Sequence, residues 1–154
     1  MTTLKEQLQA DLTQGIRDKN TSVTATLRMV LSAITNEEVS GKVARELSDQ
    51  DVITVLTREA KKRKEAATAF DDAQRPELAA KEREELAIIS NYLPAALSAE
   101  EVNAIIAAAV AEVTAAGQSG PSAMGAVMKL VTPQVAGRAD GGEIASAVKA
   151  ALTQ

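Results

Sequence analysis

The chain has 154 residues, enough for one ordinary domain or two small ones, and a formal net charge of −4, which excludes an overall basic nucleic-acid coat. It contains no histidine and no cysteine, which removes the commonest general base, the commonest transition-metal ligand, disulfides and thiolate chemistry together. Phe70 and Tyr92 are the whole aromatic complement, so Leu, Ile, Val, Met and Ala must build the core. This composition suits close helix packing and offers few platforms for base stacking.

Thr3-Leu4-Lys5-Glu6 fits a capping box, and Leu4, Leu8, Leu12 and Ile16 recur every four residues as the stripe of a first helix ending near Asn20. A second helix is expected from about Ser22 to Val39, with Val23, Leu27, Val30, Leu31 and Ile34 inward and Gly41 as its stop. Ser48-Asp49-Gln50-Asp51 opens a third, longer helix running through Val52, Leu56, Ala60, Ala67 and Phe70. Pro76 starts a fourth, with Leu78, Leu86, Ile89 and Leu93 as its stripe and Pro94 as its stop.

Ser98-Ala99-Glu100-Glu101 begins a second unit, whose first stripe is Val102, Ile105, Ile106, Ala109, Val110 and Val113. A break at Gly117–Pro121 precedes a short helix over Met124–Val131. Then come Thr132-Pro133, a turn at Gly137–Gly142, and a last helix carrying Ile144, Val148, Ala151 and Leu152. The expected fold is all-α: an N-terminal four-helix unit over residues 1–94 and a small C-terminal three-helix domain over residues 95–154. Charge density changes at the same place. Residues 1–93 carry 14 Lys+Arg and 16 Asp+Glu, and residues 94–154 carry only 3 and 5.

The N-terminus lacks the apolar core of a signal peptide, and no apolar run approaches the ~20 residues of a membrane span. A cytoplasmic protein with no membrane partner is expected. The strongest charge run is Arg58-Glu59-Ala60-Lys61-Lys62-Arg63-Lys64-Glu65. Arg58, Lys61, Lys62 and Lys64 fan around the side away from Val52 and Leu56, either as a solvated face with i,i+4 pairs or as a phosphate-contacting ridge. Arg63 lies about 20° from the stripe centre counted from Val52. Glu59 sits one turn before it, and Glu82 interrupts the stripe of the fourth helix. These three residues define an expected inter-helix polar site, as a register-fixing Arg63–Glu59 or Arg63–Glu82 salt bridge or as a functional cleft.

The carboxylate pairs Glu37-Glu38, Asp71-Asp72 and Glu84-Glu85 point about 100° apart on a helix and do not converge as acid and base. Without histidine, neither a Glu-x-x-His di-metal bundle nor a serine triad is available. A Ser–Lys pair is formally open but no motif supports it, and no metal, cofactor or catalytic residue is expected. Asp140 is suited to N-cap the last helix with Glu143 in the reciprocal position, Gly137 permits a left-handed backbone, and Arg138 is the cation left over at this turn.

Taken together, Leu27-Arg28-Met29-Val30 with Asn36-Glu37-Glu38, the run Arg58–Glu65, Tyr92-Leu93-Pro94, Met124-Gly125-x-x-Met128 and Gly137-Arg138-Ala139-Asp140-Gly141 resemble the GatB/YqeY family, in its stand-alone YqeY-like form. The resemblance covers nearly the whole chain. It implies that the C-terminal unit is similar to the tail of the B subunit of glutamine-dependent tRNA amidotransferases, which helps hold tRNA, while the transamidation site lies in a separate, larger domain. The leading expectation is therefore a non-catalytic module binding tRNA or a tRNA-handling enzyme; its expected contacts, chosen as the basic residues of each unit, are Lys129, Arg138 and Lys149, with Lys61, Lys62 and Lys64 as a second ridge. Two alternatives stand beside it. One is a protein–protein adaptor without RNA contact, using exposed Met124 and Met128 and the small alanine-rich faces. The other is a carbon–nitrogen ligase with glutamine as amido-N-donor, implied by the family label.

Overall fold

A computed structural model describes residues 1–153. Those residues form seven α-helices and one 3-10 turn, with no strand among them. The helices are α1 (Leu4–Arg17), α2 (Thr21–Glu38), α3 (Asp49–Asp72), α4 (Pro76–Ser90), α5 (Ala99–Ala115), α6 (Met124–Val135) and α7 (Gly141–Leu152), and the 3-10 turn spans Gly120–Ala123. The chain divides into two compact units, Met1–Leu93 and Pro94–Gln154. No single helix among the described residues is long and apolar enough to cross a membrane.

Local chemistry sets most helix starts. Thr3, Ser48 and Ser98 each form a full capping box, with Glu6, Asp51 and Glu101 as the returning carboxylates. Asn20 caps α2 through its side chain, and Pro76 occupies the first turn of α4, where a missing N–H costs nothing. In the first unit α3 packs most extensively on α4, and α1 on α2. Gly15 is buried where α1 meets α2, and a Cβ there would stand 3.2 Å from Val23 Cγ1. The core gathers Leu8, Leu27, Val30, Ile34, Val52, Leu56 and Ile89, none of them exposed by more than a trace.

Ile16 departs from the expected stripe and is 50% exposed. The reason is angular: each four-residue step on a 3.6-residue helix rotates by about 40°, so Ile16 lies about 120° from Leu4. Tyr92, just beyond α4, donates its hydroxyl to Asp11 Oδ2 at 2.7 Å and so ties the end of α4 to α1. Burial, reinforced by the neighbouring Asp11 carboxylate, pushes this phenol well above its ordinary pKa.

In the second unit, α5, α6 and α7 enclose Ile106, Val113, Val127, Val131, Ile144 and Val148. Here α6 does not stop at Val131 but runs through Pro133 to Val135. Val127, Val131 and Val135 are all buried at four-residue spacing, and seating Val135 keeps the helix going. Proline so near the end forfeits a single intrahelical bond. Met124 and Met128 are half-buried and pack on this core, so they do not form the exposed pair expected of an adaptor surface.

Gly137 has φ +72° in the turn before α7, a conformation that penalises any Cβ. Gly137→Ala is therefore expected to cost about 1–2 kcal/mol, read as a lowered melting temperature of the intact chain. An unchanged melt would show that the turn relaxes to another geometry. Asp140 caps α7, its Oδ1 accepting from Gly142 N at 2.9 Å and Glu143 N at 3.0 Å.

Candidate functional site: a polar groove between the second and third helices

In the first unit a groove of ≈ 680 Å3 runs between α2 and α3. Its α2 wall is Arg28, Met29, Ser32, Ala33, Asn36 and Glu37, and its α3 wall is Arg58, Glu59, Lys62 and Arg63. Helical pitch explains both walls. Arg28, Ser32 and Asn36 follow one another at four-residue steps, as do Arg58 with Lys62 and Glu59 with Arg63.

Arg63 is only 8% exposed and organises the inner wall. Its Nη1 donates to the Glu59 carboxylate in a short ion pair and to the Glu59 carbonyl at 3.3 Å. Its Nη2 reaches Met29 Sδ at 3.7 Å. Its Nε lies 3.4 Å from Glu85 Oε2, close enough for an ion pair but misaligned, so the N–H makes no hydrogen bond. The α4 partner is thus Glu85, which is buried, and not Glu82, which is half-buried one turn earlier and outside the groove. On the sequence Glu84-Glu85 is a carboxylate pair whose members point about 100° apart, with nothing to say which of them turns inward. Only the crossing of α3 over α4 turns Glu85 inward.

Glu59 also accepts from Lys62 Nζ at 2.8 Å. Burial raises the Glu59 carboxyl, but the hydrogen bonds from Lys62 and Arg63 outweigh it and hold the group below the ordinary glutamate value. Arg58 Nη2 pairs with Glu37 Oε2 at 2.9 Å across the groove mouth. Of the expected ridge, Lys62 therefore lines the groove, while Lys61 and Lys64 are exposed elsewhere on α3. Arg28, Ser32 and Asn36 were legible only as a polar four-residue ladder on α2, a pattern easily taken for a plain solvent face.

The C-terminal cations are placed differently. Lys129 and Lys149 are exposed, and Lys149 sits in the last turn of α7, where the helix dipole favours a cation. Arg138 is half-buried and acts as a latch inside its unit. Its Nε donates to Ala95 O at 3.1 Å, and its carbonyl accepts from Leu97 N at 2.9 Å. The expected spare cation of the turn is thus anchored to the segment that leads into α5. Among the described residues, no group of three or more His, Cys, Asp or Glu converges as a metal-ligand set.

Comparison with known proteins adds a family. The chain is 32% identical, over 91 residues that cover 59% of it and 72% of the relative, to an uncharacterized protein of Schizosaccharomyces pombe. The Yqey-like protein family matches residues 5–152, nearly the full length that carries both units, and the chain belongs to that family.

Proposed function

We propose that this chain is a non-catalytic helical module that holds tRNA or an enzyme that handles tRNA. The observation that supports it best is the α3 ridge: Arg58, Lys61, Lys62 and Lys64 are all exposed within about two turns, on a chain whose net charge is −4. Such a local cluster supplies phosphate affinity that the whole-chain charge would not. In this reading the four-helix N-terminal unit carries the ridge. The three-helix C-terminal unit, similar to the amidotransferase B-subunit tail, adds Lys129 and Lys149. Arg138 contributes less, because its Nε is already spent on Ala95.

The chemistry of the groove favours binding over turnover. Its Glu59 carboxylate, held low by Lys62 and Arg63, is a poor proton acceptor near neutrality. Carbon–nitrogen ligation with glutamine as donor would need an activated nucleophile, and neither Glu59 nor the groove's arginines serve as one.

Fluorescence anisotropy of labelled tRNA across a salt series tests the reading. Binding is expected at low salt, weakening steeply as salt rises. A Lys61→Ala/Lys64→Ala double variant is expected to flatten the log–log slope by about 2, one for each phosphate contact removed. Absence of binding at low salt, or binding that ignores salt, overturns the tRNA reading. A protein partner that survives nuclease treatment would then identify the enzyme-holding alternative.

A further inference from the structure

The groove between α2 and α3 offers hydrogen-bond donors that the fold leaves unused. On α2, the side chains of Arg28, Ser32 and Asn36 line it and make no hydrogen bond or ion pair among the described residues. On α3, Arg63 is nine-tenths buried, yet its Nη2 has only the Met29 thioether at 3.7 Å, a weak acceptor standing where an oxygen would bind far better. The two carboxylates of the groove are already engaged, Glu37 by Arg58 and Glu59 by Lys62 and Arg63. A ligand complementary to this surface brings acceptors and negative charge.

We propose that the groove is a binding site for a phosphate-bearing anion, with Arg63 Nη2 as the inner contact, Arg28 and Lys62 at the flanks, and Ser32 and Asn36 as neutral donors. Met29 is the displaceable cover. It is 40% exposed and flexible, and an incoming phosphate oxygen takes its place on Arg63. The groove, at ≈ 680 Å3, is larger than one phosphate and within the range of small-molecule sites. No aromatic side chain lines it, so recognition rests on the phosphate groups and not on base stacking. The same chemistry fits a free polyphosphate-bearing molecule or a phosphate of an RNA backbone. The site rests on the tRNA reading only through Lys62 and stands without it.

The test uses the intact chain carrying 13C-methyl methionine, titrated with inorganic pyrophosphate at constant ionic strength. Of the four methionines, Met29 alone lines the groove. Saturable movement of the Met29 methyl signal is expected, with Met124 and Met128 unmoved. Arg28→Ala, a change at an exposed position, is expected to weaken the interaction about tenfold, the effect of one lost charge-assisted hydrogen bond. Met29→Leu, which removes the sulfur acceptor at similar volume, is expected to retain or tighten pyrophosphate binding by calorimetry. Non-saturable shifts, shifts shared by all methionines, or binding indifferent to Arg28→Ala overturn the proposal. Adding tRNA separates the sources. A tRNA that moves Met29 and displaces pyrophosphate identifies a backbone phosphate, and a tRNA that binds with Met29 unmoved identifies a free phosphoanion. Failure of pyrophosphate to bind sinks the groove site even if tRNA binds the ridge.

Discussion

Arg63→Ala is expected to destabilise the first unit by about 3–5 kcal/mol, a large share of what a domain of this size holds. The change leaves two buried carboxylates, Glu59 and Glu85, whose side chains are 11% and 12% exposed, without their shared guanidinium. Removing one partner of a buried pair costs far more than the pair contributes, because the remaining charge stays desolvated. The measurement is direct. Tyr92 is the sole tyrosine, there is no tryptophan, and Tyr92 belongs to the first unit, so its emission during urea titration follows that unit.

Two companion variants separate the carboxylates. Glu85→Gln is expected to cost about 1–3 kcal/mol as an impaired buried partner, and Glu82→Gln to stay within about 0.5 kcal/mol. Equal costs for the two would sink the assignment of Glu85. The acid limb gives an independent sign. The carboxyl of Glu59 is lowered in the folded state, so its contribution is complete above about pH 4.3, the unfolded value, and is lost as pH falls through the folded value. In Arg63→Ala the acid limb contributed by Glu59 should shrink.

Ile144→Ala is the second large effect, at about 2–5 kcal/mol for a fully packed isoleucine cut to a methyl group. Ile144 is 2% exposed and is the first of three residues, with Val148 and Leu152, that seat α7 on the second core. A unit of about 60 residues buries a smaller share of its surface than a larger domain does and has little stability in reserve. Hydrogen exchange of the α7 amides is the appropriate readout. Protection is expected to fall at least about thirtyfold, the equivalent of the lower bound. Retained protection would mean that the surrounding alanines close the cavity.

The helices themselves were legible because their signals are local. Thr3/Glu6, Ser48/Asp51 and Ser98/Glu101 mark their starts within four residues of sequence, and a 3.6-residue stripe of Leu, Ile and Val marks the buried face. Ile16 departs from its stripe for a local reason, the rotation that accumulates along α1. The other departures come from contacts across helices: Pro133 reads as a stop until Val135 finds a place in the core. Met124 and Met128 read as exposed until the second core closes over them.

The polar site divides in the same way. Arg63 and Glu59 lie on one helix, one turn apart, so fixed helical geometry places them together and the sequence is sufficient. The choice between Glu82 and Glu85 depends on how α4 lies against α3, and nothing within α4 states it. The groove is more distant still from the primary sequence. Its α2 donors and α3 cations are separated by more than a score of residues, and each wall alone is an ordinary solvent face. By itself, then, the sequence determined an all-helical chain, its capped starts, its buried stripes and the Arg63–Glu59 pair. The tertiary structure decided which carboxylate completes that pair, that Arg138 is a latch, and that Arg28, Ser32 and Asn36 face Lys62 and Arg63. The physical reason is that caps and periodicity are set by bonds and pitch within a few residues, whereas these placements are set by the packing of one helix on another.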